Sequence, residues 1–88
     1  MREKKRLLNL TAEEMRMLLN TLGNAEFRAL EIDEAKRRLL LSREEYVALL
    51  YRITDERNRK LDRGESYDAE ASFLIKLMTT KERRVKER

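Results

Sequence analysis

The sequence predicts an all-α protein, a small bundle of three to four helices. Apolar residues make up 41% of the chain and recur mainly at intervals of three and four, which places them on one face of a helix. The chain has no proline and only two glycines, whereas β-sandwiches and barrels need many turn residues. Its 88 residues suffice for one domain, so we expect residues 1–88 to fold as a single helical unit.

The first helix is predicted over residues 12–22. Thr11 and Glu14 are the ends of a capping box, in which the threonine oxygen accepts a hydrogen bond from a backbone amide and the glutamate reaches back. The apolar stripe that follows has helical spacing and consists of Met15, Leu18, Leu19 and Leu22. Gly23 then occupies the position where a glycine commonly ends a helix.

The second segment is also predicted to be a helix, over residues 25–38, with Asn24 as a suitable N-cap. Its stripe is narrow and contains mostly small residues, namely Ala25, Ala29, Ile32, Ala35 and Leu39. The three leucines at 39–41 fit either the end of this helix or a short strand, and the sequence leaves both interpretations open.

The third helix is predicted over residues 43–62. Ser42 and Glu45 form a second capping box, and Gly64 marks the end of the helix. The apolar stripe of this helix consists of Tyr46, Leu49, Leu50 and Ile53. Its C-terminal half is almost entirely charged, so we expect that half to extend into solvent.

The last helix is predicted over residues 66–80. Ser66 is a suitable N-cap, and acidic residues follow in the first turn, where the helix dipole favours them. One face of the helix carries Tyr67, Ala71, Leu74, Ile75 and Met78. Phe73 and Leu77 fall on a neighbouring face, and an apolar arc of this width indicates burial from two sides.

Residues 5–15 and 37–46 resemble each other. Each stretch contains basic residues, an apolar run and a capping box that opens a helix. The likeness indicates either two similar structural units or only the general similarity of any two capped helices. If the units are real, residues 7–10 and 39–41 pair as a short two-stranded ribbon.

The run Arg6-Leu7-Leu8-Asn9-Leu10-Thr11, which leads into a helix, resembles the start of ribbon-helix-helix repressors. In that family an N-terminal strand enters the major groove of DNA, so the resemblance implies a strand at the start of this chain. It covers less than half of the sequence. The chain departs from the family because its second segment lacks a strong apolar stripe and two further helices follow, and no DNA-reading residue is transferred.

The sequence offers little for catalysis or metal binding. It contains no His and no Cys, which removes the commonest general base, the commonest metal ligand and thiol chemistry. The adjacent acids Glu13-Glu14 and Glu44-Glu45 lie in first helical turns, where capping and the helix dipole explain them. We therefore expect no enzymatic activity, no cofactor and no metal. No apolar run is long enough to span a membrane, so we expect a cytoplasmic protein without a membrane partner.

Positive charge is concentrated at the two ends, residues 1–6 and 81–88, which we expect to be partly disordered. Together these ends contain nine cations and three acids, while the rest of the chain is mildly acidic. The candidates for binding an anion or a nucleic acid are Lys4, Lys5, Arg6, Arg37, Arg38, Arg43, Lys81, Arg83 and Arg84. The alternative roles are solubility for the ends and internal charge pairing for the three arginines at 37–43.

Four large apolar residues fall off the main stripes and are candidate interface residues: Val47, Tyr51, Phe73 and Leu77. We expect them to support self-association, because one small core leaves a chain of this size marginally stable. The leading hypothesis is a helical regulator of phage or bacterial type that oligomerises and binds, inhibits or sequesters a macromolecule, most readily another protein. Two further hypotheses are nucleic-acid binding through the basic ends, and an oligomer that holds a small anionic ligand such as a nucleotide.

Overall fold

Four helices pack against a four-stranded antiparallel sheet in the computed structural model, which describes the backbone of residues 4–84 and the side chains of residues 4–82. The prediction of an all-α bundle is therefore wrong. In chain order the elements of this described part are β1 (Lys4–Asn9), α1 (Ala12–Leu22), α2 (Asn24–Ala29), β2 (Glu31–Asp33), β3 (Arg38–Leu41), α3 (Arg43–Arg63), α4 (Asp68–Thr79) and β4 (Glu82–Arg84).

The two helices that begin with capping boxes were predicted correctly. Thr11 and Glu14 form both hydrogen bonds of the first box, and Ser42 and Glu45 form both bonds of the second. Helix α1 has the predicted bounds, and α3 runs one residue further than predicted, to a left-handed Gly64 with a φ of 71°. Helix α4 begins two residues later than expected, and its N-cap, Tyr67, makes no capping bond with its side chain.

The helix predicted over residues 25–38 is replaced by a short helix and a β-hairpin. Helix α2 ends at Ala29, and the backbone becomes extended at Leu30. A continuous helix would have buried mainly alanine methyl groups on its stripe. The hairpin instead buries Leu39 and Leu41 completely, and burial of large apolar side chains is the stronger driving force.

The hairpin turns without a glycine or proline, and that is why the sequence concealed it. The carboxylate of Asp33 accepts a hydrogen bond from the backbone amide of Lys36 at 3.2 Å, which shapes the turn. Arg37 adopts a left-handed conformation with a φ of 53°, which is uncommon for a residue with a side chain. The carbonyl of Arg37 then accepts a hydrogen bond of 2.8 Å from the amide of Leu10.

The predicted ribbon of residues 7–10 and 39–41 is the centre of the sheet, whose strand order is β2-β3-β1-β4. Strands β1 and β3 pair antiparallel, with Leu8 opposite Leu39 and Leu7 opposite Leu40. Leu8 and Leu39 are buried in the core, whereas Leu7 and Leu40 are only partly buried. The sheet therefore presents one face to the helices and a more exposed face to solvent.

Part of each basic end belongs to the sheet. Strand β4 pairs antiparallel with β1, so that Lys4 lies opposite Arg84 and Lys5 lies opposite Arg83. Within the ranges expected to be disordered, residues 4–6 and 82–84 are thus strands. The remainder of those ranges, 1–3 and 85–88, lies outside the described residues.

Candidate functional site

Helices α3 and α4 form an antiparallel hairpin that is held at both ends. Near the connecting loop, the ammonium of Lys60 lies 2.6 Å from the carboxylate of Glu70, which is 1% exposed. At the far end, Arg43 at the start of α3 pairs at 3.2 Å with Glu82, which follows α4. These contacts fix which faces of the two helices meet.

The inner face of the hairpin is part of the core, and it contains two of the predicted interface residues. Phe73 and Leu77 are 0% exposed, together with Ile53 of α3. The prediction that Phe73 and Leu77 form an intermolecular surface therefore does not agree with the structure. They are already covered by this chain's own helices.

The outer face of the hairpin exposes four large apolar side chains, Val47 and Tyr51 on α3 and Ile75 and Met78 on α4, which we call the outer patch. Their exposed fractions are 43%, 68%, 59% and 65% respectively. Each pair has helical spacing, i and i+4 on α3 and i and i+3 on α4, so its members share a helix face. Because the helices are antiparallel, the first half of α3 lies beside the second half of α4, so the two pairs lie at the same end of the hairpin.

Sequence reasoning found Val47 and Tyr51 but assigned Ile75 and Met78 to the core. The inner face of α4 has the regular spacing of Glu70, Phe73, Leu74 and Leu77, all of which are buried. A search for apolar residues finds Phe73 and Leu77 but does not extend their face back to Glu70, because that residue is a glutamate. The signal that reveals it is Lys60, one turn before the end of α3, but only the folded hairpin brings that lysine to Glu70.

Buried Glu14 fixes α4 against α1. Its carboxylate accepts hydrogen bonds from the ammonium of Lys76 at 2.6 Å, the hydroxyl of Ser72 at 2.7 Å and the amide of Thr11 at 2.8 Å. Burial raises the pKa of Glu14, but the hydrogen bonds from Lys76, Thr11 and Ser72 outweigh it, and the pKa is lowered overall. The neighbouring Glu13 is exposed, so the two acids do not face a common cleft.

Arg6, a predicted anion-binding residue, is engaged within the protein. Its guanidinium lies 4.0 Å from the ring centroid of Tyr46, and it donates a hydrogen bond of 2.7 Å to the carbonyl of Thr80. It also lies 3.6 Å from the carboxylate of Glu82. Arg6 therefore connects β1, α3 and the segment that leads into β4.

The other predicted basic residues are distributed around the sheet. Arg37 lies in the turn before β3, Arg38 begins that strand, and Arg43 follows its end, so the three arginines are divided between the two ends of the strand. Lys5 pairs with Glu31 at 2.8 Å, and Lys4 and Lys81 are exposed. The register of β1 and β4 brings together the positions of Lys4, Lys5, Arg83 and Arg84.

Within the described part of the chain, no group of three or more His, Cys, Asp or Glu residues is arranged to hold a metal ion. No helix in that part is both long enough and apolar enough to cross a membrane.

The chain matches no protein-family model, and no curated protein or solved structure is significantly similar to it.

Proposed function

We propose that this chain is a small, non-enzymatic cytoplasmic regulator that self-associates through the outer patch and binds, inhibits or sequesters a macromolecular partner. The observation that carries the proposal is the exposure of four large apolar side chains at one end of a single helical hairpin. Apolar side chains scattered singly on a surface are ordinary, whereas a contiguous patch is typical of an interaction site.

The energetics of the patch favour a modest interaction. Complete burial of one large apolar side chain contributes about 1.5–3 kcal/mol. The four residues are already partly covered, so burying the remainder contributes roughly 4–7 kcal/mol from each of the two associating chains. Association itself costs at least about 4 kcal/mol. The patch alone therefore supports weak self-association, and a partner that adds contacts around it gains the affinity needed for regulation.

Self-association is testable by multi-angle light scattering over a protein concentration range from micromolar to millimolar. We expect the mean mass to rise above that of the monomer, and the rise to persist when salt is increased, because apolar contacts are not screened. Met78→Gln removes one apolar side chain from the patch and shifts the transition to higher concentration.

A matched control is Leu19→Gln, which replaces the 36% exposed leucine of α1, outside the patch. We expect this control to associate as the unaltered chain does, once circular dichroism confirms that both variants are folded. A chain that stays monomeric at millimolar concentration, or one whose association is abolished by salt, contradicts the proposal.

A further inference from the structure

The outward side of helix α3 carries one straight row of exposed side chains, which we call the outer stripe. Its members follow one another every three or four residues, so they share the helix face opposite the buried Leu49 and Ile53. In chain order they are Glu44, Val47, Tyr51, Asp55, Asn58 and Asp62. The outer stripe thus contains two members of the outer patch, three acids and no cation.

The acids of the outer stripe are left uncompensated, because the cations of α3 are engaged elsewhere. Within the described part of the chain, Glu44, Asp55 and Asp62 form no salt bridge. Five of the six cations of the helix pair with acids outside the stripe, namely Arg43, Arg52, Arg59, Lys60 and Arg63. The sixth, Arg57, is half-buried and donates a hydrogen bond of 2.9 Å to the side chain of Asn58. Three acids therefore share one cation that has no acidic partner.

The basic ends of the chain lie too far away to offset the acids in the second half of the stripe. The pair of Arg43 with Glu82 places β4 beside the start of α3. Residues rise 1.5 Å along a helix, so Asp55 and Asp62 lie about 18 Å and about 28 Å from that start. Exposed charges separated by more than about 10 Å are largely screened at 0.1 M salt. The net charge of +4 consequently does not describe this part of the surface.

We propose that the outer stripe binds an amphipathic helix of a partner protein, whose apolar side chains cover the outer patch and whose basic side chains reach Asp55 and Asp62. This inference rests on the proposed function, because the outer patch supplies the apolar part of the contact. A helix fits the stripe, which is straight and about 27 Å long. Two helices that cross at a small angle contact each other along such rows, and docking of an amphipathic helix through its apolar anchors is a recurring mode of recognition.

A second copy of this chain is a poorer occupant of the whole stripe than a basic helix. The second copy presents the same row, which contains no cation, so contact between two stripes covers the patch and leaves the acids unpaired. Asp55 and Asp62 follow Tyr51 by four and eleven residues, which is about one and three helical turns. A partner helix with lysine or arginine at matching distances from its apolar anchor supplies the missing charges. Such complementarity determines the choice of partner more than the raw affinity.

The chemistry of the partner is testable by fluorescence anisotropy with two labelled helical peptides of about 18 residues, long enough to span the stripe. Both peptides carry the same leucines at helical spacing, and the four charged positions beside the leucines are lysine in one peptide and glutamate in the other. Each exposed ion pair changes affinity by a factor of about 1.4–5, so we expect the lysine peptide to bind about tenfold more tightly at 0.1 M salt. At 1 M salt the screening length falls to about 3 Å, so the preference disappears while apolar contacts keep both peptides bound.

The most informative variant combines Asp55→Lys with Asp62→Lys, because it inverts the charge of the stripe and leaves the outer patch intact. We expect the glutamate peptide to become the tighter ligand of this variant. The matched control combines Glu13→Lys with Glu34→Lys, which makes the same change of net charge at exposed positions of α1 and of the turn after β2. We expect this control to keep its preference for the lysine peptide. Circular dichroism confirms that both variants are folded.

An inverted preference in the control would overturn the proposal, because net charge alone would then explain it. A lysine peptide that binds the unaltered chain no more tightly than the glutamate peptide at 0.1 M salt would also overturn it. Tyr51→Ala tests the apolar part, and we expect it to weaken binding of the lysine peptide at least about fivefold. An unchanged affinity in this variant would place the peptide elsewhere on the surface. Self-association is measured on the protein alone and persists at high salt, so it can fail or succeed separately.

Discussion

Arg37 shows how a single backbone angle can conceal an element from sequence reasoning. Its φ of 53° lies in the left-handed region, which costs an L-residue about 1–2 kcal/mol and which glycine occupies freely. We expect Arg37→Gly to raise the free energy of unfolding by about 0.5–1 kcal/mol, because relief of strain exceeds the added freedom of the unfolded chain. Urea denaturation at constant m-value measures the change.

Lys36→Gly is the control for this effect, since it removes the same charge from the same turn. Arg37 is the only residue other than glycine with a positive φ in the described part of the chain, so Lys36 has no such strain to relieve. We expect the Lys36 variant to lose about 0.5–1 kcal/mol. Equal effects of the two substitutions would mean that the conformation of Arg37 is unstrained.

Glu14 gives the stability of the protein a defined dependence on pH. The hydrogen bonds from Lys76, Thr11 and Ser72 lower its pKa in the folded state from the ordinary value of a glutamate, so the unfolded chain binds more protons in acid. The stability that this carboxylate contributes is complete above the unfolded pKa and is lost as the pH falls through the folded pKa.

Replacing the carboxylate tests this dependence directly. We expect Glu14→Gln to lower the free energy of unfolding by about 1–3 kcal/mol at pH 7, because Lys76 and Ser72 lose a charged acceptor. The difference between the variant and the unaltered chain narrows as the pH falls below the ordinary pKa of a glutamate. Parallel pH profiles of the two proteins, measured by urea denaturation, would show that Glu14 is not the group responsible.

Among the elements, α4 is the one whose orientation the sequence misassigned, and two adjacent residues test the correction. Leu77 is fully buried and Met78 is 65% exposed. We expect Leu77→Ala to cost about 2–5 kcal/mol, as truncation in a packed core does, and Met78→Ala to change stability by less than about 0.5 kcal/mol. Stability is measured by thermal or urea unfolding. A larger loss of stability for the Met78 variant than for the Leu77 variant would support the helix orientation predicted from the sequence instead.

Elements governed by local rules were predictable, and those governed by distant contacts were not. The capping boxes at Thr11 and Ser42 specify the starts of α1 and α3 within four residues of chain, so the sequence revealed them. The hairpin of β2 and β3 has no such marker, because its turn relies on Asp33 and on the strained Arg37. The orientation of α4 depends on Lys60 and Lys76, which neutralise two buried glutamates in the folded state.

At the scale of the whole molecule, the internal similarity of residues 5–15 and 37–46 proved informative. Each stretch forms a strand followed by a capped helix, and the two strands pair at the centre of the sheet. The sequence therefore allowed two of the four strands, β1 and β3, and their pairing to be predicted. The outer strands were hidden, because β2 is three residues long and β4 belongs to a run of charge that reads as a solvated tail.

The candidate surfaces were predictable to a similar extent. Exposed residues off the stripe of α3 pointed to the outer patch, but its α4 members depended on an orientation that only the folded hairpin defines. The charge of both ends was evident from composition. The pairing of β1 with β4, which brings these two ends together, was not evident from the sequence. No local signal connects residues that are separated by almost the full length of the chain.

The pairing of the first strand with the last also determines whether the chain can be circularly permuted. Lys4 and Arg84 are opposite one another, which puts their α-carbons about 4.5–5.5 Å apart. A short glycine-rich tether added beyond these positions is therefore able to close the backbone into a ring. New termini opened in the exposed turn around Glu34 would then yield a circular permutant in which the opposed cationic strands are joined by a local loop.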